Sequence, residues 1–141
     1  MTARSRPLRD RALPHRHQRF VRFYHGQVGA EWDQTVCAGL VGICEPVRQE
    51  YLRAVGGRPA FYEAGNLLQE TFPHYGIPDS AWHETSTLQR ELADKGWHQC
   101  ASPVDLLIAV TARHHKLTVL HADADFETIS RLTGQPVRWI S

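Results

Sequence analysis

Between Ser102 and Ile140 the chain changes hydrophobic period repeatedly within forty residues, and this rhythm restricts the fold more than any other feature. Ser102-Pro103 opens a helix with Val104, Leu107, Ile108 and Ala112 inward, and Lys116 to Leu120 follows as a short apolar strand. Asp125 to Leu132 then reads as a helix closed by Gly134, and Pro136 to Ile140 as a final strand. Strands this short and apolar, each separated by a helix, belong in a parallel sheet covered on both faces. Such sheets place their ligand-binding loops at the carboxyl ends of the strands.

Upstream the same alternation holds. Trp32, Val36 and Leu40 share one face of a helix over 29–40, and Leu40 to Cys44 has the length of a strand. Pro46 opens a helix carrying Val47, Tyr51, Leu52 and Val55, which Gly56-Gly57 stops. A further helix runs from Pro59 toward Glu70, and another carries Ala81, Thr85, Leu88 and Leu92 before ending at Lys95-Gly96. No internal repeat or low-complexity tract interrupts the pattern.

With 141 residues, 42% of them hydrophobic, the chain can bury one sizeable core. No apolar run is long enough to span a bilayer and the first twenty residues lack a secretory apolar stretch, so a cytoplasmic protein is expected. Cys37, Cys44 and Cys100 show neither disulfide nor zinc spacing and read as neutral thiols. Charge is uneven: Arg4, Arg6, Arg9, Arg11, Arg16 and Arg19 precede Phe20 with Asp10 as their only acid, leaving ten basic against fourteen acidic residues in the remainder. A body with excess carboxylate does not grip nucleic acid by phosphate neutralisation alone, and any action on RNA would need bound cations.

The carboxylates with a chance at chemistry sit beside the strand ends. Asp123 and Asp125 follow the 116–120 strand within His121-Ala122-Asp123-Ala124-Asp125-Phe126, where two acids can converge on one hard cation. Asp125 could equally serve as a cap of the last helix. Asp105 stands three residues after Ser102, the spacing of a capping box, and Glu50 on its helix reads singly as a solvated charge. Taken together, Asp105 near the start of one helix and the pair Asp123 and Asp125 after the next strand define one acidic pocket, suited to magnesium and to a water oriented for attack on a phosphodiester.

From Gly29 onward the chain resembles PIN-domain proteins of the VapC toxin type. The resemblance is carried by Ala101-Ser102-Pro103-Val104-Asp105-Leu106-Leu107-Ile108-Ala109, by Leu117-Thr118-Val119-Leu120-His121-Ala122-Asp123-Ala124-Asp125-Phe126 and by Gly134-Gln135-Pro136-Val137. Ile43 to Leu52 also looks like the family's second strand and helix, with Glu50 at its acidic position. The resemblance implies an α/β, PIN-like fold with a short central parallel sheet flanked by helices on both faces. It implies Mg2+ (or Mn2+) held by Asp105, Asp123 and Asp125 with Glu50 in support, endonucleolytic cleavage of RNA, a VapB-like antitoxin as partner, and a homodimer.

The front departs from the pattern. The family begins with a strand ending in an Asp-Thr-Ser-like motif, whereas this chain reads Ala12-Leu13-Pro14-His15-Arg16-His17-Gln18-Arg19, without an acid. Permitted codons for that octapeptide, read from the second base of the Leu13 codon, spell Tyr-Leu-Ile-Asp-Thr-Ser. A single-base frameshift before Phe20, real or a sequencing error, accounts for this, and the lost aspartate falls where the chain reads Arg16. Residues 1–19 are therefore expected to be a basic, disordered or frameshifted segment and 20–141 the PIN-like domain, with the N-terminal strand missing or disordered. Losing one acid from a site with few protein ligands weakens cation binding, so impaired cleavage is expected.

Three other readings compete. A noncatalytic PIN-like protein, or degenerate toxin, would bind antitoxin without cutting RNA. The arginine-rich start could act as an RNA-binding arm. The nine histidines could hold a transition metal, with His114-His115 or His15 and His17 as the closest sets, but His114 and His115 point about a hundred degrees apart on a helix, and the histidines are expected to be solvated.

Overall fold

The computed structural model describes residues 19–21, 37–122 and 124–139, without the side chains of 19–21. Strands β1 (Arg19–Val21) and β2 (Val41–Gly42) are followed by four helices: α1 (Glu45–Arg53), α2 (Arg58–Thr71), α3 (Ala81–Asp94) and α4 (Pro103–His114). The chain then passes through β3 (Thr118–His121), α5 (Asp125–Thr133) and β4 (Val137–Trp139). The strands form one parallel sheet in the order β2-β1-β3-β4. The expected helix over 29–40 lies outside the described residues up to 36.

A short strand occupies the place where the first strand was expected to be missing or disordered. Arg19–Val21 stands in the sheet's central slot, pairing with Val41 and Gly42 on one side and with Thr118 to Leu120 on the other. The register explains why three residues suffice to take the slot: both neighbours are themselves short, apolar and buried.

α4 is the hub of the core. Its residues from Asp105 to Ala112 are all buried, because α4 packs against β3, α1, α3 and α5 at once. Ile43, Val47, Leu88, Leu92, Val119, Leu120, Phe126 and Ile129 complete the same cluster. α1 and α2 both begin with a proline in the first turn, where its missing N–H costs no hydrogen bond. Gly134 closes α5 in the left-handed region at φ 75, its N–H donating to Ser130 O at 2.8 Å.

One boundary moves with consequence. Lys116 takes φ 60 and the Leu117 N–H donates to Ala112 O at 2.8 Å, so 115–117 form the turn after α4 and β3 starts only at Thr118. The strand therefore extends one residue further than the apolar run indicated, and His121 is its last residue instead of part of the loop.

Candidate active site

The topology alone selects a location. From β1 the chain steps to β2 on one side and later returns past β1 to β3 on the other, so the carboxyl ends of β1 and β3 flank a topological switch point. α4 ends where β3 begins and α5 begins where β3 ends, so the N-termini of both helices lie at the carboxyl edge of the sheet. Asp105 sits in the first turn of α4 and Asp125 is the first residue of α5. Helix N-termini carry partial positive charge and favour carboxylates there.

Asp105 is 2% exposed. Its Oδ2 accepts from the Ser102 N–H at 3.3 Å, and its own N–H donates to Ser102 Oγ at 3.2 Å, so the expected capping box is present. The cap fixes the carboxylate in direction and depth. Asp125 does not cap α5, contrary to the simpler reading of that residue: Ala124 holds the N-cap position, and the half-buried Asp125 begins the helix. Both charges reach the same thiol. Cys100 is pushed above its ordinary range first by burial, then by Asp125, then by Asp105. The two acids, twenty residues apart in sequence, thus share one neighbourhood.

Glu50 comes from a different helix. It is half-buried on α1 and lines a cavity of about 480 Å³ with Glu45, Arg53, Trp82, Val104 and Leu107. Val104 precedes Asp105, so this cavity borders the acidic edge through the first turn of α4. Asp123 lies outside the described residues. Among those described, no group of three or more His, Cys, Asp or Glu is gathered to hold a metal ion. The pair Asp105 and Asp125 still fits a hard divalent cation in donor chemistry, since magnesium uses one or two carboxylates and keeps several waters.

Two features escaped the sequence reading. Cys100, a bland thiol by its sequence, feels the charge of both acids; its place just before Ala101-Ser102 was the available signal. His121, expected like the other histidines to be solvated, is fully buried, with Nε2 2.9 Å from Glu127 Oε2 and its ring against Phe126 and Trp139. His115 Nε2 lies 2.8 Å from Gly76 O, and its ring meets that of His114 edge-on. All three cysteines are free, as expected, with Cys44 buried and Cys37 exposed. No helix among the described residues is long and apolar enough to cross a membrane.

The family pattern of the PIN domain matches residues 19–132. Ribonuclease VapC2 of Mycobacterium tuberculosis (strain CDC 1551 / Oshkosh) is 56% identical over 105 residues, 74% of each chain. Ribonuclease VapC21 of Mycobacterium tuberculosis (strain ATCC 25618 / H37Rv) is 33% identical over 102 residues, 72% of this chain and 74% of that one. Among solved structures, DNA-bound VapBC from Salmonella typhimurium superposes with a TM-score of 0.63 at 16% identity, covering 87% of this chain and 98% of that one. VapBC-5 from Mycobacterium tuberculosis gives 0.54 at 22% identity, covering 86% and 97%. At these identities the structural likeness speaks for the fold alone.

Proposed function

The chain belongs to the PIN-domain family, and on that footing we propose that it is a VapC-type endoribonuclease scaffold whose cleavage of RNA is impaired by its own N-terminus. The observation that carries this reading is the placement of Asp105 and Asp125 in the first turns of two helices that start at the same carboxyl edge of the sheet, with both charges raising the Cys100 thiol. The relatives named ribonuclease support the reaction class.

In this reading Asp105, Asp123 and Asp125 hold Mg2+ or Mn2+, and Glu50 supports the site from α1. When bound, the cation supplies charge to a phosphodiester oxygen and lowers the pKa of a water. The chain's own part is positional. The Ser102 cap keeps the Asp105 carboxylate aimed, the start of α5 presents Asp125, and residues 20–141 form the domain that holds both. A VapB-like antitoxin is the proposed protein partner, in keeping with the VapBC assemblies whose toxin fold this chain resembles. A homodimer is proposed with it.

The lack of any acid between Ala12 and Arg19 favours a second reading, in which the protein binds antitoxin without cutting RNA. One experiment separates the two: cleavage of bulk RNA with Mg2+ or Mn2+ by the chain as it stands, by a version with Tyr-Leu-Ile-Asp-Thr-Ser-Ala restored before Phe20, and by that version with Asp105→Asn. Cleavage by the restored chain alone is the expected result. Cleavage by the chain as it stands would mean that the remaining acids suffice, and silence from all three would select the binding role.

A further inference from the structure

We propose that Trp139 is a stacking platform for an unpaired RNA base beside the acidic edge, with its indole held in place by His121 and Glu127. This rests on the reading of that edge as an RNA site.

β4 runs parallel to β3 in the register His121↔Trp139, so Trp139 stands at the carboxyl edge, one strand from the loop that leads to Asp125. A lone exposed aromatic is ordinary on a protein surface. What sets Trp139 apart is its support. Its ring meets the His121 ring at 5.1 Å and 82°, and His121 is wholly buried. The imidazole is fixed in turn by Glu127 at 2.9 Å and by the Phe126 ring at 5.6 Å. Phe126 directly follows Asp125, so the support of the indole and the placement of the acid share the first turn of α5. One side of the indole is thereby braced, while the residue remains 48% exposed.

A braced, half-open indole beside an edge read as acting on phosphodiesters suits a nucleobase. Every unpaired base offers a π-face, and stacking on an aromatic side chain is tolerant of sequence. Paired bases hide those faces, so the platform favours single-stranded over duplex RNA. It also supplies affinity that a body poor in positive charge does not obtain from phosphate contacts.

The test is equilibrium binding of a short labelled RNA, single-stranded and as its duplex, with Mg2+ present, to the full chain and to its Trp139→Ala and Trp139→Phe variants. Circular dichroism and thermal melts confirm that the variants fold. The expected result is about tenfold weaker single-strand binding for Trp139→Ala, with Trp139→Phe within about threefold of the parent. Duplex binding and the salt dependence of binding should stay unchanged, because no phosphate contact is removed. Single-strand binding by Trp139→Ala equal to the parent's would overturn the platform and leave the RNA site standing. Equal losses on single strand and duplex would overturn it as well, marking a structural role. Failure of the parent chain to bind single-stranded RNA would overturn both the platform and the RNA reading.

Discussion

Asp105 caps its helix, and the site role proposed for it makes no conflicting demand on its position. A capping carboxylate and a site carboxylate need the same thing, a fixed position in the first turn of a helix, and the Ser102 cap provides it. A different compromise is visible at Cys44, where burial pushes the thiol up to about 12 from its ordinary 9.0. The sign of the consequence is definite. Above pH 9 the unfolded chain loses the Cys44 proton while the folded chain keeps it, so stability falls as pH rises from about 9 toward 12. The slope from this group is about 1.4 kcal/mol per pH unit. Urea unfolding at pH 8 and pH 10.5 should show the parent losing about 2 kcal/mol more than Cys44→Ala over that interval. Equal losses in the two proteins would refute the assignment.

Among the elements, β2 depends on a close approach that no local pattern reveals. Gly42 lies under the Tyr75 ring, where an added Cβ would fall 2.6 Å from Tyr75 Cδ2 and 2.9 Å from Pro73 O. The segment 73–75 is pinned there by backbone bonds, Ile43 N–H to Pro73 O at 3.0 Å and Tyr75 N–H to Ile43 O at 2.9 Å. This segment covers the outer side of a two-residue edge strand. Gly42→Ala is therefore expected to destabilise the fold by about 2 kcal/mol or more, since a ring and a backbone carbonyl must both move. The double variant Gly42→Ala with Tyr75→Ala should recover little, because the Pro73 carbonyl remains in place. Chemical denaturation measures both, and a Gly42→Ala protein as stable as the parent would contradict the packing. The helices, by contrast, were legible from residues alone: prolines at the starts of α1, α2 and α4, and glycines after α3 and α5, mark their ends by backbone chemistry that acts locally.

At the scale of the molecule, the central slot of the sheet bears on stability and, in the proposed function, on chemistry as well. The central strand is paired on both sides, yet it is three residues long and preceded by a run of arginine and histidine. Such polar side chains cannot extend a buried strand without losing their hydration. Restoring Tyr-Leu-Ile-Asp-Thr-Ser-Ala before Phe20 should lengthen the strand with apolar residues and raise Tm by about 5 °C or more, at roughly 2–8 °C per kcal/mol. A restored chain that melts no higher than the parent would count against the frameshift, as would a gene lacking the required codons.

The sequence by itself determined the order and type of the described helices, the parallel sheet, the cap at Asp105 and the list of candidate acids. Those properties follow from hydrophobic period, from proline and glycine, and from hydrogen bonds between near neighbours. Only the tertiary structure decided where those acids lie. Asp105 and Asp125 stand at one edge because α4 and α5 both start at the same end of β3, while Glu50 lines a bordering cavity. The burial of His121 and the bracing of Trp139 arise the same way, from the pairing of β3 with β4 and the packing of α5 over the strand end. Contacts between residues distant in the chain are set by the packing of whole elements, and no local spacing records them.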